Sequence, residues 1–186
     1  MSTTSYGGRS VSDLAEVSVE QSPRERRLAA EVFAVLRIVV GFTFLWAFLD
    51  KLFGFGYATP SERSWLNGGS PTRGFLANSA TGPFESVYKD IAGVGWADWL
   101  FMIGLAGIGA ALLLGIGMRV AAASGALLYV LMWTVVLPPE NNPVVDDHII
   151  GALVLIALAL VHAGDTFGLG RWWKQQPIVQ QNRWLI

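Results

Sequence analysis

The sequence contains no cysteine and only two histidines. Without a thiol the chain cannot supply a cysteine nucleophile, a disulfide relay, an iron–sulfur cluster or a cysteine-bound zinc. The two imidazoles, His148 and His162, stand 14 residues apart in one apolar stretch. On a helix that is about 21 Å along the axis, too far to clasp one haem from both faces. No haem, metal or iron–sulfur cofactor is expected. Charge is scarce as well: Asp, Glu, Lys and Arg make up 15% of the residues and the net charge is −1. No nucleic-acid partner is expected.

What is abundant is apolar. Hydrophobic residues are 53% of the 186, mean hydropathy is +0.46, and the charges cluster outside a few long runs. This is the composition of an integral membrane protein. A hydrocarbon core of about 30 Å takes roughly 20 apolar residues of helix. Four stretches qualify, at about 32–49, 96–118, 120–137 and 149–164. The pattern predicts an all-α, antiparallel four-helix transmembrane bundle in one unit, residues 28–174, between a polar tail at 1–27 and a C-terminal tail at 175–186. The first 27 residues carry no apolar signal core and read as a mostly disordered tail. Arg24, Arg26, Arg27, Arg119, Arg171, Lys174 and Arg183 fall on one side of the spans, whereas the third connection, PPENNPVVDDH, is acidic apart from its histidine. Both termini are therefore expected in the cytoplasm, with the lipid bilayer as the first partner.

Only Arg37 is charged within the apolar centre of a span, although Asp98 sits near one end. At about 100° per residue, Arg37, Gly41, Phe44, Phe48 and Lys51 form one stripe of the first helix, and His148, Leu155 and His162 one of the fourth. Facing stripes would bring Lys51 to the level of His148 and Arg37 to that of His162. A guanidinium at membrane depth is costly and faces the protein interior. It either fixes an anion, a quinone carbonyl or a buried carboxylate, or it bonds to backbone carbonyls and locks the packing. Gly107, Ala111 and Gly115, with Ala121–Gly125 and Ala122–Ala126, recur at four-residue spacing and predict close helix approach, with a homo-oligomer face as the alternative use.

The loop from Gly54 to Gly95 is longer than a hairpin requires. Ser70 followed by Pro71 predicts a capped short helix to about Asn78, and a second is expected from Pro83 to Ile91. Arg73 beside Gly68 and Gly69 makes the first helix start either an anion site or an ordinary capped surface turn. Trp65, Trp96, Trp99, Trp172 and Trp173 read as interfacial anchors.

The segments LRIVVGFTFLWAFLDKLFG, WLNGGSPTRGFL, ATGPF and NNPVVDDHIIGALVLIALAL leading to GLGRWW together resemble the DoxX-like membrane family. Within it the chain is most similar to the DoxD-type small subunits of thiosulfate:quinone oxidoreductase, over residues about 30–174. The resemblance implies a four-helix membrane bundle and electron transfer from thiosulfate to a quinone, giving tetrathionate. It also implies a DoxA part, for which this chain has no second domain. On that basis Arg73, Lys51 and His148 are expected to hold the anion at the outer mouth, and Arg37 and Trp46 to contact the quinone. Asp147 would orient His148 for proton transfer, making that pair the catalytic candidate. Two other classes compete, a non-catalytic membrane scaffold for a redox partner and a small anion transporter lined by Arg37.

Overall fold

The computed structural model describes residues 22–186, and among these every regular element is a helix. The first, α1, runs Pro23–Phe53. Its start is written in the local sequence: Ser22 Oγ accepts from the Glu25 amide at 3.2 Å, the Glu25 carboxylate accepts from the Ser22 amide at 2.7 Å, and Pro23 takes the first turn. This is a capping box, which satisfies two of the donors a helix start leaves open. The helix therefore begins inside the stretch read as tail. Residues 1–21, the rest of that tail, lie outside the described residues.

Between α1 and the next long helix lie α2, Arg73–Ser79, and α3, Glu85–Ile91, each shorter than expected because the chain before it takes tighter turns. Then come α4, Gly95–Leu114; α5, Met118–Val135; and α6, Asp147–Leu160. Two short helices follow, α7, Gly170–Trp173, and α8, Pro177–Gln181. Helices α1, α4 and α5 are long and apolar enough to cross a membrane, and their outward faces expose Phe42, Leu100, Ile103, Leu127 and Leu131. Such faces suit lipid rather than water. Helix α6 is apolar but has 14 residues, about 21 Å against a core of about 30 Å. The fourth apolar run was expected to stay helical to Gly164. It stops because His162 turns left-handed, at φ 54°, which places His162 beyond the helix and exposed.

Packing decides which glycines matter. A β-carbon at Gly41 would lie 2.8 Å from Leu112 Cβ, and one at Gly109 would lie 2.7 Å from the Leu45 amide nitrogen. Antiparallel α1 and α4 thus touch backbone to backbone. The expected seam through Gly107 is corrected by this register, because Gly107 faces open space. The α5 pattern does pack: Ala121, Ala122 and Gly125 are buried, and a β-carbon at Gly125 would meet Leu155 Cδ1 at 2.6 Å. Phe44, Leu105, Ile108, Leu112, Leu155 and Leu158 fill the shared core. The C-terminal segment is folded back onto the start of α5, with the Arg119 amide donating to the Ile186 carbonyl at 2.9 Å and Val179 fully buried.

Candidate functional site

The α1–α4 register first resolves Arg37. Gly41 lies against Leu112 and Leu113, so Arg37, one turn earlier, reaches the point where α4 ends rather than the middle of the helix pair. Its side chain is fully buried. Nη1 donates to the carbonyls of Leu112 and Leu113, and Nη2 to those of Thr166, at 3.3 Å, and Phe167, at 2.9 Å. The first two belong to the last turn of α4, where carbonyls lack helical partners and a cation meets the negative end of the helix dipole. Glycine is required around it, since a β-carbon at Gly115 would sit 2.9 Å from Nη1. Four of the five guanidinium N–H groups are thus engaged by backbone, and only the buried Nε–H has no partner. The fork that was expected to hold a quinone joins the end of α4 to the turn after His162.

At the opposite end, two of the three residues expected to hold an anion, Lys51 and Arg73, come together. Lys51, Arg63 and Arg73 line one cleft of about 760 Å³, with Asp98 the single acidic residue in its lining. Lys51 reaches it from the last turn of α1, half-buried, with Nζ 5.8 Å from the centre of the Phe101 ring, a cation–π contact. Arg63 and Arg73 arrive from the following loop and are exposed. The loop itself hangs on two buried carboxylates. Asp50 accepts from the Ala58 amide at 3.0 Å and more distantly from Tyr57, while Asp98 accepts from Ser70 Oγ at 2.8 Å and from Thr72. Ser70 therefore caps in an unexpected way. Its hydroxyl accepts from the Arg73 amide at 3.1 Å while donating to Asp98, and Thr72 occupies the cap position.

Asp50, Arg63, Thr72 and Asp98 were not singled out as site residues from sequence. The available signal was two aspartates near the loop-side ends of apolar helices, where an ionised group needs donors.

His148 stays outside this cleft. Its Nδ1 lies 2.7 Å from Asp146 Oδ2, and its ring is 6.1 Å from that of Tyr129. The orienting carboxylate is thus Asp146, not Asp147, which is exposed in the first turn of α6. Asp146 is chosen because the residue before a helix accepts its free amides, here those of His148, at 3.0 Å, and Ile149. Burial would raise the Asp146 pKa, but the hydrogen bond and charge of His148 and these amides together hold it below its usual value. Trp46 faces away from Arg37. It stacks on Phe55, with centroids 5.8 Å apart, meets Tyr57 edge-on at 5.2 Å, and continues to Phe42. Phe42, Phe53, Phe55 and Tyr57 leave this patch exposed. The segment from Phe55 to Pro60 separates it from the cleft: Phe55 and Tyr57 belong to the patch, whereas Ala58, Thr59 and Pro60 line the cleft.

No group of three or more metal-ligating side chains is found among the described residues. No family model matches the chain, and no curated protein or solved structure matches it.

Proposed function

We propose that this chain is the anion-capturing membrane subunit of a quinone-linked oxidoreductase of the thiosulfate:quinone type. The observation that carries the reading is the convergence of Lys51, Arg63 and Arg73 on one cleft whose only carboxylate already holds three hydrogen bonds. A small dianion entering there meets three cations, and the half-buried lysine acts in a less screened setting than the exposed arginines. In the reaction, two thiosulfates each lose one electron, a bond forms between their terminal sulfurs, and tetrathionate leaves. The two electrons, with two protons, would pass to a quinone acceptor. Bringing two dianions together is the costly step, and positive charge at the cleft lowers that cost.

In this reading α6 and its following turn complete an antiparallel four-helix bundle, the cleft opens outward, and both termini are cytoplasmic. A quinone, when bound, supplies the two-electron sink. Arg37 does not fit it, since its fork is engaged by carbonyls. Trp46 with Phe55 and Tyr57 does fit, offering aromatic faces on the lipid side of the loop that also borders the cleft. The Asp146–His148 pair stands at the same end as a proton carrier. A partner subunit of DoxA type completes the enzyme.

The exposed aromatic patch also favours a second reading, a scaffold that docks a redox protein there. The transporter reading loses its pathway residue, because Arg37 is enclosed by backbone. Purification in mild detergent, extraction of quinone, and a thiosulfate-driven quinone reduction assay with co-purified partners separate the two. Bound quinone and thiosulfate-dependent reduction support the enzyme subunit. A stoichiometric partner without quinone or thiosulfate dependence supports the scaffold.

A further inference from the structure

The loop carrying Arg73 is tied to the first turn of α4 through one carboxylate oxygen. Asp98 Oδ1 accepts from Ser70 Oγ at 2.8 Å, from the Thr72 amide at 3.1 Å and from Thr72 Oγ1 at 2.5 Å, and the residue is only 6% exposed. Each of those hydroxyls also accepts: Ser70 Oγ from the Arg73 amide at 3.1 Å, and Thr72 Oγ1 from the Gly93 amide at 3.2 Å. Gly93 is the surface on which the Arg73 guanidinium lies, for a β-carbon built there would be 2.6 Å from Arg73 Nε. One network therefore fixes both the backbone origin of Arg73 and the bed under its charged group.

We propose that Asp98 is a positioning residue for oxoanion binding: through Ser70, Thr72 and Gly93 it holds Arg73 over the cleft, where a small tetrahedral dianion of the thiosulfate and sulfate class binds. The proposal rests on the anion reading of the cleft and extends it. It runs against simple electrostatics, because a carboxylate in an anion site repels the ligand. Removing Asp98 should weaken binding if its work is to aim Arg73, and strengthen it if it is merely a nearby negative charge. Preorganisation of this kind acts through affinity, since an arginine free to swing must be immobilised on binding.

The test is a thiosulfate titration by calorimetry on the full chain in detergent, comparing Asp98→Ala, Arg73→Ala and the double variant. If Asp98 acts through Arg73, each single change raises Kd by about tenfold and the double is no weaker than Arg73→Ala alone, because coupled residues are not additive. Thr72→Val, which keeps the charge and the size, should raise Kd several-fold, and Thr72→Ser should restore it to within about twofold. This pair also keeps the proposal falsifiable if Asp98→Ala does not fold. Tighter binding by Asp98→Ala, full additivity with Arg73→Ala, or an unchanged Kd in Thr72→Val overturns it. If wild-type protein binds no thiosulfate, the anion reading itself falls and takes this inference with it. Wild-type binding with additive variants removes this inference alone.

Discussion

Replacing Arg37 by methionine tests whether its place is explained by the helix ends it joins. The substitution keeps an unbranched apolar stem and removes the guanidinium donors from the carbonyls of Leu112, Leu113, Thr166 and Phe167, of which Leu112 keeps the Gly115 amide at 3.2 Å. An orphaned buried acceptor costs about 1–3 kcal/mol. The three left by Leu113, Thr166 and Phe167 set an upper range of roughly 3–9 kcal/mol, which is reduced because burying the guanidinium was itself costly and because the last α4 carbonyls can shift toward water. Truncating one side of a buried charged network typically costs about 3–5 kcal/mol, and we expect that value here. At about 2–4 °C per kcal/mol for a domain of this size, the Arg37→Met protein should unfold roughly 10 °C below wild type. Arg37→Lys should fall between, since an ammonium offers three donors without the planar fork. The assay is thermal unfolding in detergent followed by tryptophan fluorescence, with eight tryptophans available. An Arg37→Met protein as stable as wild type would refute the reasoning and return Arg37 to a ligand-holding role.

At the α1–α4 contact, Gly109→Leu should cost about 1–3 kcal/mol by forcing the helices apart, while Gly107→Ala, into open space, should add about 0.5–1 kcal/mol through helix propensity. Paired denaturation scans check both. Asp146 has a lowered folded pKa, so its charge stabilises the fold above the unfolded value and that contribution is lost as pH falls below about 4. Asp146→Asn, which retains a capping acceptor, should flatten the stability profile in that acid window and leave it near wild type in shape above pH 6. Because the chain has no cysteine, single introduced thiols report sidedness. A membrane-impermeant maleimide should label Glu62→Cys and not Gln180→Cys in intact cells, and the opposite pattern would reverse the topology.

Much of this architecture is legible from periodicity and capping. The apolar runs mark α1, α4, α5 and α6, and Ser22-Pro23-Arg24-Glu25 spells a helix start that the surrounding charges obscure. The left-handed turn at His162 leaves no trace in hydropathy, because an apolar run does not encode where the backbone reverses. Arg37 was visible as an anomaly but its partners were not, since backbone carbonyls carry no residue identity. In VVDDH, either aspartate can cap the helix, and only geometry selects Asp146. Lys51 and Arg73 were readable as cations flanking one loop. The role of Asp98 was not, because its bonds to Ser70 and Thr72 span 28 and 26 residues and depend on how the loop returns across α4.

The cleft can be tested most directly by measuring radiolabelled thiosulfate binding to the full chain in lipid nanodiscs, at low and moderate ionic strength. The account predicts saturable binding to one site, displaced by unlabelled thiosulfate, weakened by added salt, and reduced at least about tenfold by Lys51→Met or by Arg73→Ala. Absence of saturable binding, or binding that survives both substitutions unchanged, would contradict an anion site built by Lys51, Arg63 and Arg73.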